Sequence, residues 1–332
     1  MKVFKGGITG SGMMLDYHIR AFSGTKGLSV KACTRDYYGD SLQQQNQKLR
    51  CKAKAAEYNL KFFDTYEQML ADEELDFIII ASINPYHERH IIRALEYGKH
   101  VLVEKPIVTT LEALDRVEEK ATACGKLVFP SHNFVYRPAL LEAKKVLDSG
   151  ALGTLVYASF VSCFRSNDEH AHGWRASAQL SAGGALMDSG YHQIYQSLFL
   201  LGEPALIQCF LSNQVQKHME VEDFAMINAA YKDGCIASIG QGHSSHYGDV
   251  VSGIKIVGAN GNIVISDACY FSGQRIAEDA DYTHSFSHQA QYFLECLNEK
   301  RTPLSNLADV RNTLKIIHAS YKSAEKAHVV AI

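Results

Sequence analysis

The chain has 332 residues, of which 46% are apolar and 21% charged, and its formal net charge is −3. That length favours two domains, each burying its own core, and the near-neutral balance excludes the basic excess that nucleic acid or an anionic membrane requires, which leaves small molecules as partners. No apolar run of signal-peptide length opens the chain and no stretch of about 18 apolar residues occurs in it, so a cytoplasmic location is expected.

From the start to residue 131, short β-branched runs alternate with amphipathic stretches of helical length, the pattern of βαβ units in a doubly wound parallel sheet. Strands are expected at 2–9, 28–34, 77–81, 100–103 and 127–130, and helices at 41–58, 66–71, 88–97 and 111–124, with Gly98 and Gly125 as stop signals for the last two. The first strand runs into a strand-turn-helix corner where Gly10 and Gly12 match the first two glycines of G-x-G-x-x-G and Leu15 replaces the third, small residue. Such glycines let the backbone approach a pyrophosphate at a helix N-terminus, with Ser11, Met13 and Met14 in the same turn; with Leu15 there, the helix is expected to stand off or tilt. At the end of the second strand Thr34 occupies the place where an NAD site offers a carboxylate. Arg35 follows it and suits a 2′-phosphate, so NADP is expected in preference to NAD, with Asp36 the competing group if the register shifts.

After a helix at 138–147 the grammar changes to longer alternating runs at 155–164, 205–213, 225–232, 235–243 and 253–257, separated in part by turn signals at 232–234 and 258–262. Helices close the chain at 285–299 and 307–327. The fold class is therefore α/β, a doubly wound dinucleotide-binding domain over 1–131 followed by an α+β domain over 132–332 built on a large, mostly antiparallel open sheet. A sheet covered by helices on one face must place the other somewhere, and a homodimer or homotetramer through this sheet is expected.

The eight cysteines stand singly with no C-x-x-C pair, which suits reduced thiols rather than a disulfide framework or a zinc ribbon. The histidine pairs 170/172, 243/246 and 284/288 lack the flanking pattern of a metal site, and no metal is assigned. More informative is 182–192, Ala-Gly-Gly-Ala-Leu-Met-Asp-Ser-Gly-Tyr-His: as a helix it would put Asp188 and His192 on one face, about one turn apart. Upstream, Lys105 follows a strand and precedes Pro106. A carboxylate, an imidazole and a lysine converging on one pocket could move a proton to or from a sugar hydroxyl while a cofactor takes the hydride.

With Glu104-Lys105-Pro106 in the first half, the glycine loop, the run 94–106, the Trp174-Arg175 pair and the segment 183–192, the chain resembles the Gfo/Idh/MocA oxidoreductase family over nearly its whole length. The resemblance implies a Rossmann domain, a second domain whose open sheet mediates oligomers, and NAD(P)-dependent oxidation or reduction at a hydroxyl carbon of a sugar, inositol-like polyol or related ring. It implies Lys105 as the group that binds the reacting oxygen, His192 as general acid/base, and Asp188 as the residue that orients the imidazole or binds a second hydroxyl. Cofactor contacts are expected from Gly10, Ser11, Gly12, Met13, Met14, Thr34, Arg35, Ser82, Asn84, His87, Glu104 and Lys105, with Glu104 orienting the lysine loop. Substrate contacts are expected from Asn133, Tyr136, Arg165, His172, Trp174, Arg175, Asp188 and His192, with His246, Tyr247, Tyr282 and His284 in reserve. Ala182 stands for the first of three glycines, and Val135 for a frequent arginine, with Arg137 nearby. Two other chemistries fit the same residues: a hydrolase or lyase that oxidises its substrate transiently, and a sugar- or nucleotide-sensing protein.

Overall fold

The structure, a computed structural model, describes residues 2–36, 40–166, 172–245, 251–279 and 281–332. It divides into two compact units, Met1–Asn133 with Asp281–Leu307, and Phe134–Ala280 with Ala308–Ile332.

Among the described residues, the first unit holds a six-stranded parallel sheet made of β1 (Phe4–Thr9), β2 (Leu28–Thr34), β3 (Lys61–Phe62), β4 (Phe77–Ile80), β5 (His100–Val103) and β6 (Val128–Pro130). Its order, β3-β2-β1-β4-β5-β6, is the doubly wound arrangement of dinucleotide-binding folds. β4 is Phe-Ile-Ile-Ile and wholly buried, as a strand covered on both faces must be. A Cβ on Gly6 of β1 would lie 2.1 Å from the Phe77 ring, so that ring packs where a side chain would stand. Between the strands lie α1 (Met13–Ser23), α2 (Ser41–Glu57), α3 (Tyr66–Leu70), α4 (Asn84–Glu96) and α5 (Leu111–Cys124). α2 and α3 start on capping boxes, Asp40 with Gln43 and Thr65 with Gln68. α4 begins four residues before the expected position, because Pro85 fits a first helical turn, where no amide hydrogen is needed. Leu15 is fully buried in α1, which packs on β2 and on the helix Tyr282–Glu299.

That helix belongs to the first unit, whereas the sequence pattern groups it with the second half. The physical reason is aromatic. Phe293 is fully buried and lies 5.4 to 5.8 Å, ring centre to ring centre, from Phe22, Phe77 and Phe129, while Phe286 stacks on Tyr17 at 5.3 Å.

The second unit opens with α6 (Pro138–Asp148) and is built on nine strands: β7 (Leu155–Cys163), β8 (Leu206–Ser212), β9 (Phe224–Ala230), β10 (Ile236–Gly242), β11 (Gly253–Gly258), β12 (Gly261–Ile265), β13 (Ala268–Phe271), β14 (Gln274–Glu278) and β15 (Val330–Ala331). Their order is β14-β13-β12-β11-β7-β10-β9-β8-β15, and every described pair is antiparallel except β7 with β10. One face carries Phe160, Ile207, Ile227, Ile239 and Ile256, all buried; the helix Gly190–Leu201 packs against β7 and β10, and α6 against β12 to β14. On the opposite face the register lines up rows across five strands. Val257, Tyr157, Ile236, Ala230 and Leu206 form one apolar row; Lys255, Ser159, Ser238, Asn228 and Gln208 form the next, polar one; Phe210, Met226 and Val161 stand in a third. Ile236 is 56% exposed and Phe210 57%.

Candidate active site

β1 ends in the glycine loop. Gly10 has φ +114°, and a Cβ there would lie 2.3 Å from the carbonyl oxygen of Ala81, so only glycine fits. Gly12 is the N-cap of α1, makes no side-chain cap, and a Cβ on it would meet nothing within 4 Å. The start of α1 is therefore open beside Gly12, and a helix N-terminus after a glycine turn is where a dinucleotide pyrophosphate is held. Met13 is exposed at the helix start, and Tyr282 brings its hydroxyl to 3.9 Å from Met14 Sδ.

At the end of β2, Thr34 is fully buried and its hydroxyl donates to the carbonyl oxygen of Phe63 at 2.9 Å. Arg35 reaches back across the loop to donate to the Ser11 hydroxyl. Asp36 is engaged by Arg89 at 2.7 Å and by His90 Nε2. Burial alone would raise the Asp36 carboxyl, but His90 and Arg89 outweigh it and hold it below its ordinary value. Burial also pushes the His90 imidazole down, and because Asp36 only accepts, Nε2 is the protonated nitrogen and the Ser82 hydroxyl donates to Nδ1 at 2.9 Å. His87 lies between two carbonyl oxygens, Ser82 at 2.9 Å and Pro106 at 2.8 Å, which ties the loop after β4 to the lysine loop. Asn84, also buried, is the first residue of α4.

Two strands along from β1, β5 delivers Glu104, Lys105 and Pro106, the last two joined by a cis peptide bond. Glu104 is buried and gathers its partners from distant chain: His18 Nε2 at 2.7 Å, the Ser131 hydroxyl at 2.9 Å and the Lys105 amide at 3.3 Å. Ser131 in turn bonds Gln289 of the helix Tyr282–Glu299. Burial would raise the Glu104 carboxyl, but His18, the Lys105 charge and Ser131 bring it below the usual carboxylate value. A fixed anion thus stands at the base of the lysine loop.

In the second unit the segment 182–192 is not one helix. Ala182 adopts φ +61° at the end of the short helix Ala178–Ser181, Gly183 has φ +149°, and the next helix starts only at Gly190, so Asp188 lies in the turn before it and His192 in its first turn. Glu222 causes this shape. Its buried carboxylate accepts the amides of Gly184 at 3.1 Å and Leu186 at 3.0 Å and the Tyr321 hydroxyl at 2.9 Å, while its own carbonyl accepts the Ala185 amide at 2.9 Å. Burial pushes the Glu222 carboxyl up and these donors oppose it; Tyr321 is pushed up by burial and by Glu222. A cavity of about 590 Å³ opens beside this anchor, lined by Gly183, Asn213, Glu220, Glu222 and Tyr321 among others.

Asp188 pairs with Arg175 Nε at 3.3 Å, and the Arg175 guanidinium lies 4.5 Å from the centre of the half-buried Trp174 ring. His192 Nδ1 lies 2.8 Å from the Tyr195 hydroxyl. Of the other expected substrate contacts, Tyr136 is buried and Arg165 and His172 are exposed, the latter stacked on His218 at 4.3 Å. Asn133, in the first unit, is buried and donates to Ser285 at 2.7 Å, while His284 is exposed beside Asp281. His170, His246 and Tyr247 lie outside the described residues. Among the described residues no three metal-ligating side chains cluster, and all eight cysteines are free thiols. His18, Tyr195, Glu222 and Tyr321 carry no motif and are found only through their partners; the acid at 222 is 38 positions from the glycine it holds.

Two family models match the chain: an oxidoreductase family with an NAD-binding Rossmann fold over residues 4–132, and the Gfo/Idh/MocA C-terminal domain over 140–264. The D-xylose 1-dehydrogenase [NADP(+)] of Haloarcula marismortui is 23% identical over 81% of this chain and 78% of its own. The scyllo-inositol 2-dehydrogenase (NAD(+)) of Bacillus subtilis is 25% identical over 76% of each. Among solved structures, the WlbA dehydrogenase of Bordetella pertussis, in complex with NADH and UDP-GlcNAcA, superposes with a TM-score of 0.84 at 18% identity, over 100% of this chain and 98% of that one, a likeness of fold. With the two models spanning more than three quarters of its length, the chain belongs to the Gfo/Idh/MocA family of NAD(P)-dependent oxidoreductases.

Proposed function

We propose that the protein transfers hydride between NADP and the secondary alcohol or ketone carbon of a sugar, an inositol-like polyol or a derivative. The observation that carries this reading is Lys105 at the carboxyl end of β5, two strands and therefore about 10 Å from the end of β1 at the glycine loop. The nicotinamide, when bound, supplies the hydride acceptor or donor. Lys105 binds the reacting oxygen and stabilises negative charge as it develops there. His192 exchanges the hydroxyl proton, and Asp188, steadied by Arg175, holds a neighbouring hydroxyl. The sugar and polyol substrates in the relatives' names support this substrate class.

Arg35 beside Ser11, and an Asp36 already engaged by Arg89 and His90, support the 2′-phosphate of NADP over the bare ribose of NAD. The exposed apolar rows of the nine-stranded sheet support self-association through that face, as a dimer or tetramer. Eight free thiols and the lack of any described helix able to cross a membrane support a cytoplasmic location.

Purified protein assayed with NADP and NAD against a panel of sugars and polyols should turn over best with NADP. Lys105→Ala should lower kcat/KM by roughly 10²- to 10⁴-fold, and full turnover by that variant on the true substrate overturns the reading. Light scattering of Ile236→Glu should give a smaller particle than the parent protein; equal masses defeat the assembly proposed here.

A further inference from the structure

Tyr195 stands one helical turn after His192, on the same face of the helix Gly190–Leu201. It is 2% exposed, and its hydroxyl lies 2.8 Å from His192 Nδ1. The same oxygen accepts the backbone N–H of Phe134 at 3.2 Å, and the Phe134 ring lies 4.8 Å from the imidazole, centre to centre. The imidazole is thus fixed along one edge by a hydroxyl and across one face by a ring. Among the described residues, two charged pairs lie near this cluster. Arg137 lies 4.9 Å from the Phe134 ring centre, interacts with Tyr195 and is bound to Asp279; Arg175 is bound to Asp188 in the turn that precedes the helix.

A phenol differs from the other common partners of a histidine Nδ1. A carboxylate or a backbone carbonyl can only accept, whereas a hydroxyl can accept the Nδ1 proton or turn and donate its own. Either way the hydroxyl holds Nδ1, which directs the proton exchange proposed for His192 to the other ring nitrogen, Nε2.

We propose that Tyr195 is the positioning residue of the catalytic histidine: it fixes Nε2 as the nitrogen that exchanges a proton with substrate and accommodates both protonation states of the ring. In alcohol oxidation the hydroxyl proton passes to Nε2 and the ring becomes an imidazolium, whose Nδ1–H keeps its proton and donates a hydrogen bond to the Tyr195 oxygen. In ketone reduction the same Nε2 proton returns to the substrate oxygen. When the neutral ring carries its proton on Nε2, the Tyr195 hydroxyl turns and donates to Nδ1. The inference rests on the acid/base role proposed for His192.

The test is Tyr195→Phe, which keeps the ring and removes the hydroxyl. Long-range ¹H–¹⁵N correlation spectra of His192, which need no turnover, should show a hydrogen-bonded Nδ1 in the parent protein and an altered tautomer balance in the variant. In the panel assay kcat should fall about tenfold or more, with KM for the sugar or polyol within about twofold and the pH profile of kcat displaced. A purely structural tyrosine would change the melting temperature and leave the tautomer and the profile alone. A parent spectrum in which Nδ1 has no hydrogen bond overturns the proposal without recourse to the variant, as does a variant with parental spectrum and kcat. An altered tautomer in a protein that reduces no ketone and oxidises no alcohol upholds the positioning and defeats the dehydrogenase reading instead.

Discussion

Glu104 keeps a negative charge in an almost dry place by collecting donors from α1, from Ser131 and from its own successor. Its carboxyl titrates below the usual value, so the charge stabilises the fold above the unfolded-chain pKa, and that contribution is lost as the pH falls through the folded one. Glu104→Gln should therefore cost on the order of 3 kcal/mol at pH 7, with a smaller deficit at pH 4; denaturant titrations at the two values measure the difference, and equal stability at pH 7 contradicts the pairing. Lys105, Asp188 and His192, the residues proposed for the chemistry, can be picked out of the sequence because each sits in a short run of unusual residues. The groups that hold them cannot. His18 is 86 positions from Glu104, and Tyr195 is an unremarked aromatic in an apolar helix, so nothing local marks either one.

The glycine turn before the helix Gly190–Leu201 shows how a single buried acid shapes a segment. A Cβ on Gly184 would stand 2.0 Å from the Glu222 carbonyl oxygen, too close for any rotamer to relieve. Gly184→Ala should cost about 1–3 kcal/mol or more through overpacking and abolish most turnover, while nucleotide affinity, a property of the other unit, stays within about twofold of the parent. Isothermal titration with NADP alongside the steady-state assay separates the two; unimpaired turnover would show that the turn tolerates displacement. Helical spacing suggested that Asp188 and His192 share a helix, and the tertiary grip of Glu222 overrides that local pattern. Elsewhere the periodicity was a good guide: β2, β5 and α5 have the expected bounds, because a buried parallel strand and a capped amphipathic helix each leave a strong local mark. β3 and β15, of two residues each, and the polar edge strand β14 are too short or too hydrophilic to stand out, and β12 and β13 lie past the last expected strand.

Across the molecule, burial of neutral imidazoles sets an acid limit. Burial alone pushes His132 down to about 3, and burial with the Lys126 charge brings His100 down to about 4. In the unfolded chain both titrate near the ordinary value of about 6.5. Below that pH the unfolded state binds protons that the folded state refuses, so stability declines as acidity rises, by up to about 1.4 kcal/mol per pH unit for His132. The melting temperature should drop steadily from pH 7 to pH 5, with His132 still neutral by NMR at pH 5; a flat profile would show that the ring is hydrated or mobile in the native state. The general plan of two sheets was readable from alternating patterns, but the membership of the helix Tyr282–Glu299 was not, since its pattern names an apolar face and not what covers it. That membership bears on how the protein is made. The ribosome releases Phe22, Phe77 and Phe129 early, and the ring that closes over them, Phe293, emerges only after residues 134–280 have been synthesised. Through that interval the nascent nucleotide-binding portion lacks the ring that covers these three, so the unit translated first cannot close its aromatic core until most of the second has been made.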